Sequence, residues 1–188
     1  MSAQTSITNA LVKNVDVTEL DIELIQHGLE VFLSDTFNIL SVLLFSVFLH
    51  NTYCAVLYLI ILSTLRVHTG GWHARTKIAC YCTYQLMFLV FSTLIKHTFS
   101  PGISHMILCS SLYYMWVNAP VEHIYNPLSN DVKAKNRTIS HRYLVLYTLL
   151  YFFVSNEYSI YKTTIMLSFL YNGILMYAQS VSAKKEKP

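Results

Sequence analysis

The chain has 188 residues, of which 54% are hydrophobic and only 12% charged, with a mean hydropathy of +0.42. That composition departs from an ordinary soluble domain, and a net charge of +3 is too small and dispersed to point to nucleic acid. Fourteen Tyr and ten Phe fit rings placed at membrane interfaces. Cys54, Cys80, Cys82 and Cys109 lie in or beside apolar runs without framework spacing, so reduced thiols are expected rather than a disulfide scaffold.

At this length one domain over residues 1–188 is the natural expectation. The first thirty residues carry Asp16, Glu19, Asp21, Glu23 and Glu30 and no early apolar run, so no secretory signal peptide is expected. Ile7, Leu11, Val15, Ile22, Ile25, Leu29 and Phe32 recur at helical intervals and predict an amphipathic helix over 7–33. Asp16 and Glu19 can cap its main start. Six apolar segments follow, at 36–50, 52–67, 78–95, 101–118, 143–155 and 159–178. Several are shorter than the roughly 20 residues of a perpendicular span, and segment 36–50 can also continue the helix before it. The fold expected is an all-α polytopic membrane protein. It has an N-terminal amphipathic helix (1–34), about six transmembrane or half-inserted helices in three hairpins (35–178) and a basic tail (179–188).

Charge sets the orientation. With an even number of spans, Lys13, Arg66, Arg75, Lys77, Lys133, Lys135, Arg137, Arg142, Lys184, Lys185 and Lys187 share one side, and Lys96 and Lys162 fall opposite. Eleven against two is a positive-inside bias, which places both termini, the segment around His73 and a 119–142 loop in the cytoplasm.

The chemistry concentrates in the polar break Gly70-Gly71-Trp72-His73-Ala74-Arg75-Thr76-Lys77-Ile78-Ala79-Cys80. A thiol and an imidazole are the minimum parts of a cysteine nucleophile site. On one continuous helix, seven residues separate them by about 10.5 Å, too far for a base to reach its nucleophile. Gly70 and Gly71 therefore predict a break, with His73 on a turn folded over the helix that carries Cys80. Thr76 is the expected N-cap of that helix. A first-turn Cys80, near Arg75 and Lys77, gains from the helix dipole as a thiolate. Cys82 is rotated about 200° from Cys80 and reads as a packing residue. A chance pairing of a buried Cys and a loop His remains open, as does a metal site on His68, His73, Cys80 and Cys82, although H-x4-H-x6-C-x-C matches no common zinc spacing. A small transporter or peptide exporter is the other rival, against which stand the lack of an internal repeat and the nearly uncharged segment interiors.

At these residues the chain resembles the accessory gene regulator B (AgrB) family, the membrane peptidases of Gram-positive quorum-sensing systems. An Arg, then Gly-x-His-Ala, then Cys seven residues after the His appear as Arg66, Gly71-Trp72-His73-Ala74 and Cys80. A second signature appears as Ala119-Pro120-Val121-Glu122, Pro127 and the basic stretch Lys133 to Arg142. The helix end Gly28-Leu29-Glu30 is similar as well. The resemblance implies a cysteine endopeptidase with no metal or other cofactor. It would cleave the acidic tail from an AgrD-like precursor and cyclise the core to a thiolactone or lactone. His73 and Cys80 would be catalytic. Arg66, Gly71, Arg75 and Glu122 would support them, with Lys133, Lys135, Arg137 and Arg142 holding the tail. A homodimer in the lipid bilayer of the cell membrane is implied as well.

Overall fold

The structure is a computed structural model that describes residues 19–72, 76–97, 99–121 and 129–185. Among these it is all-helical: α1 (Glu19–Phe48), α2 (Thr52–Thr69), α3 (Lys77–Leu94), α4 (Pro101–Asn118), α5 (Asn130–Phe153), a 3-10 turn at Asn156–Tyr158, and α6 (Ser159–Lys185). Ile7, Leu11, Val15 and Asp16 of the expected amphipathic stretch lie outside the described residues.

Segment 36–50 does continue the preceding helix. Nothing in Ser34-Asp35-Thr36 breaks it, since no Gly or Pro intervenes and Thr36 Oγ1 donates back to the Phe32 carbonyl at 2.8 Å. At about 1.5 Å per residue α1 is roughly 45 Å long. It ends in a Schellman motif: His50 takes φ +53, its N–H reaches Val47 O, and Asn51 N–H reaches Ser46 O at 3.0 Å. The other two tight turns fall where expected. Lys96 and His97 close back on Thr93 and Leu94, and Ser155 caps the 3-10 turn before α6.

One expectation is overturned between 119 and 142. The basic stretch read as a loop is helical from Asn130, so α5 begins thirteen residues before the apolar segment expected at 143. Ser129 and Asp131 supply start signals, and Lys, Ala and Arg propagate a helix that no Gly or Pro interrupts. Charge marked this segment as exposed, and exposure was mistaken for irregular backbone. Likewise α6 runs through 179–185, the beginning of the expected tail.

The helices assemble around α2 and α6. α2 buries Cys54, Ala55, Tyr58, Leu59, Ile61, Leu62 and Leu65, a stripe at helical spacing, chiefly against α6 and α5. α6 is buried at seven successive positions, Thr163 to Phe169, as only a surrounded helix can be. The second hairpin does not close on itself: α3 packs chiefly on α1, and α4 chiefly on α6. Phe37 of α1 and Tyr81 of α3 meet with tilted rings at 5.4 Å. At the centre Tyr58 stacks on Phe91 at 4.4 Å and meets the edge of Tyr171 at 6.1 Å.

Around this apolar core the distribution of polarity departs from that of a protein folded in water. Asn38, Asn51, Gln85, Ser168, Asn172 and Gln179 are buried, while Phe37, Leu40, Leu44, Phe48, Val67, Leu86, Met106 and Phe153 are exposed. So much contiguous apolar surface needs an apolar partner. Where six membrane segments were expected, one helix among the described residues, α2, is both long and apolar enough to cross a membrane. Phe32–Phe48 and Ile78–Leu94 are shorter apolar stretches.

Gly70 ends α2 with φ +74 and ψ −179, a region essentially confined to glycine. A Cβ there would also collide with the Val121 carbonyl oxygen. Gly70→Ala should therefore destabilise the protein by at least about 1–3 kcal/mol, read as a lowered Tm in detergent. Gly71→Ala should be much milder in the same assay, because its Cβ would find only ordinary contacts with Leu175 and Arg66. Equal losses would show that the close approach at Gly70 contributes nothing.

Candidate functional site

The break after α2 brings both sequence signatures together. Gly70 N–H bonds the Arg66 carbonyl at 3.0 Å, and Val121 N–H bonds the Thr69 carbonyl at 2.9 Å. Ala119-Pro120-Val121 is thus fastened to the start of Gly70-Gly71-Trp72, fifty residues earlier in the chain. Of the two glycines, Gly70 makes the turn and the close approach, while Gly71 lies beside Leu175 and the Arg66 side chain.

Trp72 is then held from two sides. Its N–H donates to the Leu175 carbonyl of α6 at 3.1 Å, and its carbonyl accepts from Arg66 Nη2 at 2.9 Å. The family resemblance gives Arg66 a supporting role at the site. The structure adds a defined contact, a charge-assisted bond to the carbonyl directly before His73. His73, Arg75 and Glu122 lie outside the described residues. Their flanks, Trp72, Thr76 and Val121, are placed.

On the far side of the break Thr76 caps α3 as expected, its hydroxyl accepting from Ala79 N–H at 3.2 Å. Cys80 closes the first turn, its own N–H bonded to the Thr76 carbonyl at 3.0 Å. It therefore keeps the dipole of the helix start, while its amide is already committed. The thiol residue is half-buried. Cys82 is exposed on the opposite face, which overturns its reading as a packing residue: the 200° rotation carries it out of the protein instead of into the core. Cys54 is buried and Cys109 exposed.

Among the described residues no group of three His, Cys, Asp or Glu could hold a metal ion. His68 turns toward α5, with Nδ1 3.3 Å from Asn136 Oδ1 and its ring stacked on Tyr143 at 5.7 Å. His141 of α5 likewise stacks on Trp116 at 3.9 Å and contacts its carbonyl at 3.0 Å. These contacts dock the basic half of α5 beside the α2 end that leads into Gly70. Lys133, Lys135, Arg137 and Arg142 are all exposed along it. Lys133 and Arg137 form one row at i, i+4, and Lys135 and Arg142 another at i, i+7.

Sequence reasoning passed over Tyr84. It stands one turn after Cys80 on the same face of α3, half-buried at the edge of the core. Arg66, Asp35 and Cys80 are within electrostatic reach of its hydroxyl. The i, i+4 relation to Cys80 was the available signal.

A family profile described as Accessory gene regulator B matches residues 4–180. No curated protein and no solved structure matches the chain.

The Arg66–Trp72 bond is open to direct test. A hydrogen bond to a charged group is worth about 1.5–3 kcal/mol, so Arg66→Gln should speed amide exchange at Gly71–Trp72 by about tenfold or more, read by hydrogen–deuterium mass spectrometry. Exchange in the middle of α2 should stay constant. An unchanged rate at Trp72 would mean that the guanidinium does not hold this segment.

Proposed function

The chain belongs to the accessory gene regulator B family, and from that premise we propose that it is a multi-pass membrane cysteine endopeptidase. Its substrate is an AgrD-like precursor, whose C-terminal tail it removes and whose core it cyclises. The family is a membrane-protein family associated with processing of the AgrD autoinducer precursor. The observation that carries the finer reading is the joint at Gly70. It draws both signatures to one end of the helix bundle, where Cys80 opens α3.

In this reading His73 takes the proton of Cys80. The thiolate pair forms a bond to the carbonyl carbon at the junction of core and tail, and the C=O π pair moves onto oxygen. Collapse of that intermediate breaks the C–N bond, and His73 returns its proton to the departing amine. An acyl-thioester remains on Cys80. The thiolate of the core's own cysteine then adds to the same carbonyl and expels the Cys80 thiolate, leaving a ring closed by a thioester. A thioester is less stable than the amide it replaces, so loss of the tail must draw the reaction forward. Water must also be kept from the acyl-enzyme, and a half-buried thiol at the membrane boundary serves that need.

The apolar exterior supports placing the bundle in the lipid bilayer of the cell membrane. The eleven-to-two division of Lys and Arg supports cytoplasmic termini and a cytoplasmic site. The family relationship also underlies the proposed homodimer and the treatment of residues 1–188 as one domain. The exposed rows on α5 attract the acidic tail, while Arg75 and Glu122, beside the placed Thr76 and Val121, support the catalytic pair.

The assay is tail release from the precursor by protein in proteoliposomes, followed by mass spectrometry. Cys80→Ala and His73→Ala should each lower it by on the order of 10⁴-fold or more, since members of one catalytic unit do not contribute additively. Cys82→Ala should keep most of the activity. Cleavage that survives loss of Cys80 would refute the peptidase assigned here.

Exposed charge pairs contribute about 0.2–1 kcal/mol each and are screened by salt. Neutralising Lys133, Lys135 and Arg137 together should accordingly weaken precursor binding several-fold at low salt and little at high salt. An equal loss at both would assign these residues a structural role instead.

A further inference from the structure

We infer that the Tyr84 hydroxyl donates a hydrogen bond to the scissile carbonyl oxygen as Cys80 adds to it. That makes Tyr84 a catalytic residue of the peptidase proposed above, on which this inference rests.

Acyl transfer needs a donor aimed at the oxygen that gains charge in the transition state. In serine peptidases the nucleophile's own amide is one such donor. Here that option is closed, because Cys80 N–H is bonded to the Thr76 carbonyl and Ala79 N–H to the Thr76 hydroxyl. With these two amides committed, a side chain on the same face of α3 is suited to supply the bond. Four residues advance a helix by about 6 Å and 400°, so Tyr84 lies nearly beneath Cys80. Helical side chains lean toward the N-terminus and cover the preceding turn. The ring of Tyr84 therefore leans toward the thiol. It is half-buried, neither sealed in the core nor turned to the apolar exterior.

The neighbouring groups on α3 are otherwise engaged. Tyr81 packs its ring, tilted, against Phe37 of α1. Thr83 returns its hydroxyl to the Ala79 carbonyl at 2.8 Å. Gln85, rotated well away from Cys80, reaches the Asn38 carbonyl at 3.5 Å.

The space below Tyr84 is polar as well. Tyr58 and Tyr171 are buried, and their hydroxyls have no partner among the described residues. Arg66 is within electrostatic reach of both Tyr58 and Tyr84. A nearby guanidinium favours negative charge on an oxygen that Tyr84 holds. Arg66 thus fixes the Trp72 carbonyl and also lies within electrostatic reach of Tyr84, where the Asp35 carboxylate acts against it.

The phenol keeps its proton throughout. When the S–C bond forms and the π pair moves to oxygen, the O–H bond of Tyr84 points at that oxygen. When the pair returns and the C–N bond breaks, the hydrogen bond relaxes. The second transfer, to the core's own thiol, passes through an intermediate of the same shape and uses the same donor.

The test uses full-length protein in proteoliposomes with the precursor. Tyr84→Phe removes one oxygen and leaves the ring, so packing is retained. Single-turnover tail release should fall about 10²- to 10³-fold, as when one oxyanion donor is lost elsewhere. Precursor affinity and the rate at which iodoacetamide alkylates Cys80, read at that residue by mass spectrometry, should stay within about twofold of wild type. Tyr81→Phe should leave all three readings unchanged. Tail release within about threefold of wild type for Tyr84→Phe would overturn the inference. So would a parallel fall in alkylation, which would mean that the phenol acts on the thiol. Trapping an acyl adduct on Cys80 in the wild type separates this failure from failure of the peptidase reading. If no adduct forms and Cys80→Ala still cleaves, both fall together.

Discussion

The backbone of Trp72 is pinned between two helices, its N–H on α6 and its carbonyl on α2. Such a clamp needs a carbonyl inside a helix to accept a bond from outside it, which the second lone pair of a backbone oxygen allows. It also needs α2 and α6 to keep a fixed distance, and they form the most extensive helix pair in the bundle. The position of the chain as it runs toward His73 is thus set by packing as far away as Ile61, Leu65 and Ile165. A substitution deep in that interface, without touching the site, would move both anchors of the clamp relative to one another.

Polar groups buried among helices strengthen this coupling. In a low-dielectric interior a satisfied hydrogen bond is stronger and an unsatisfied one more costly than in water. Several hydroxyls meet that condition within a single helix, while the side chains of Asn51, Tyr171 and Asn172 have no partner among the described residues. Ser63, Thr64, Thr164 and Ser168 each donate to a carbonyl four residues back. Other bonds cross between helices, and the shortest of these, between the hydroxyls of Thr64 and Tyr147 at 2.8 Å, ties α2 to α5 just below His68. α2 therefore holds α6 by packing, α5 by polar contacts and Val121 by backbone.

Much of the helical frame was legible because long apolar runs separated by Gly, Pro, Asn and Lys leave few alternatives. Thr76 as a cap and Gly70 as a break were legible for the same local reasons. What escaped was set by partners distant in sequence. Arg66 to Trp72 is a six-residue interval that any short loop could show, and only the bond gives it meaning. The helix at 130–142 was hidden because charge speaks to exposure and is silent on backbone conformation. The outward turn of Cys82 follows from which side of α3 meets α1, a matter of assembly. Tyr84 was one tyrosine among fourteen until the placement of Arg66 and Asp35 set it apart.

The placement of α5 bears on how a scissile bond would be presented in the proposed reaction. Its basic rows and the thiol of α3 lie on separate helices, both referred to the end of α2: α5 through His68 and Asn136, α3 through the Gly70–Thr76 break. A tail held on α5 and a core reaching Cys80 would cross that end of α2 between them, bringing the junction over the fixed segment. Electrostatic attraction of the tail is long-ranged and tolerant of sequence, so it gives capture without exact register. Register must come from the clamped segment and the donor at the carbonyl oxygen, whose geometry is strict. In the proposed reaction this division would let one site accept tails of varied sequence while cutting at one bond, provided the distance from acidic tail to junction is conserved in the substrate. Precursors lengthened by two or three residues between junction and tail should then keep their affinity and lose cleavage, which measurements of binding and tail release on such a series would establish.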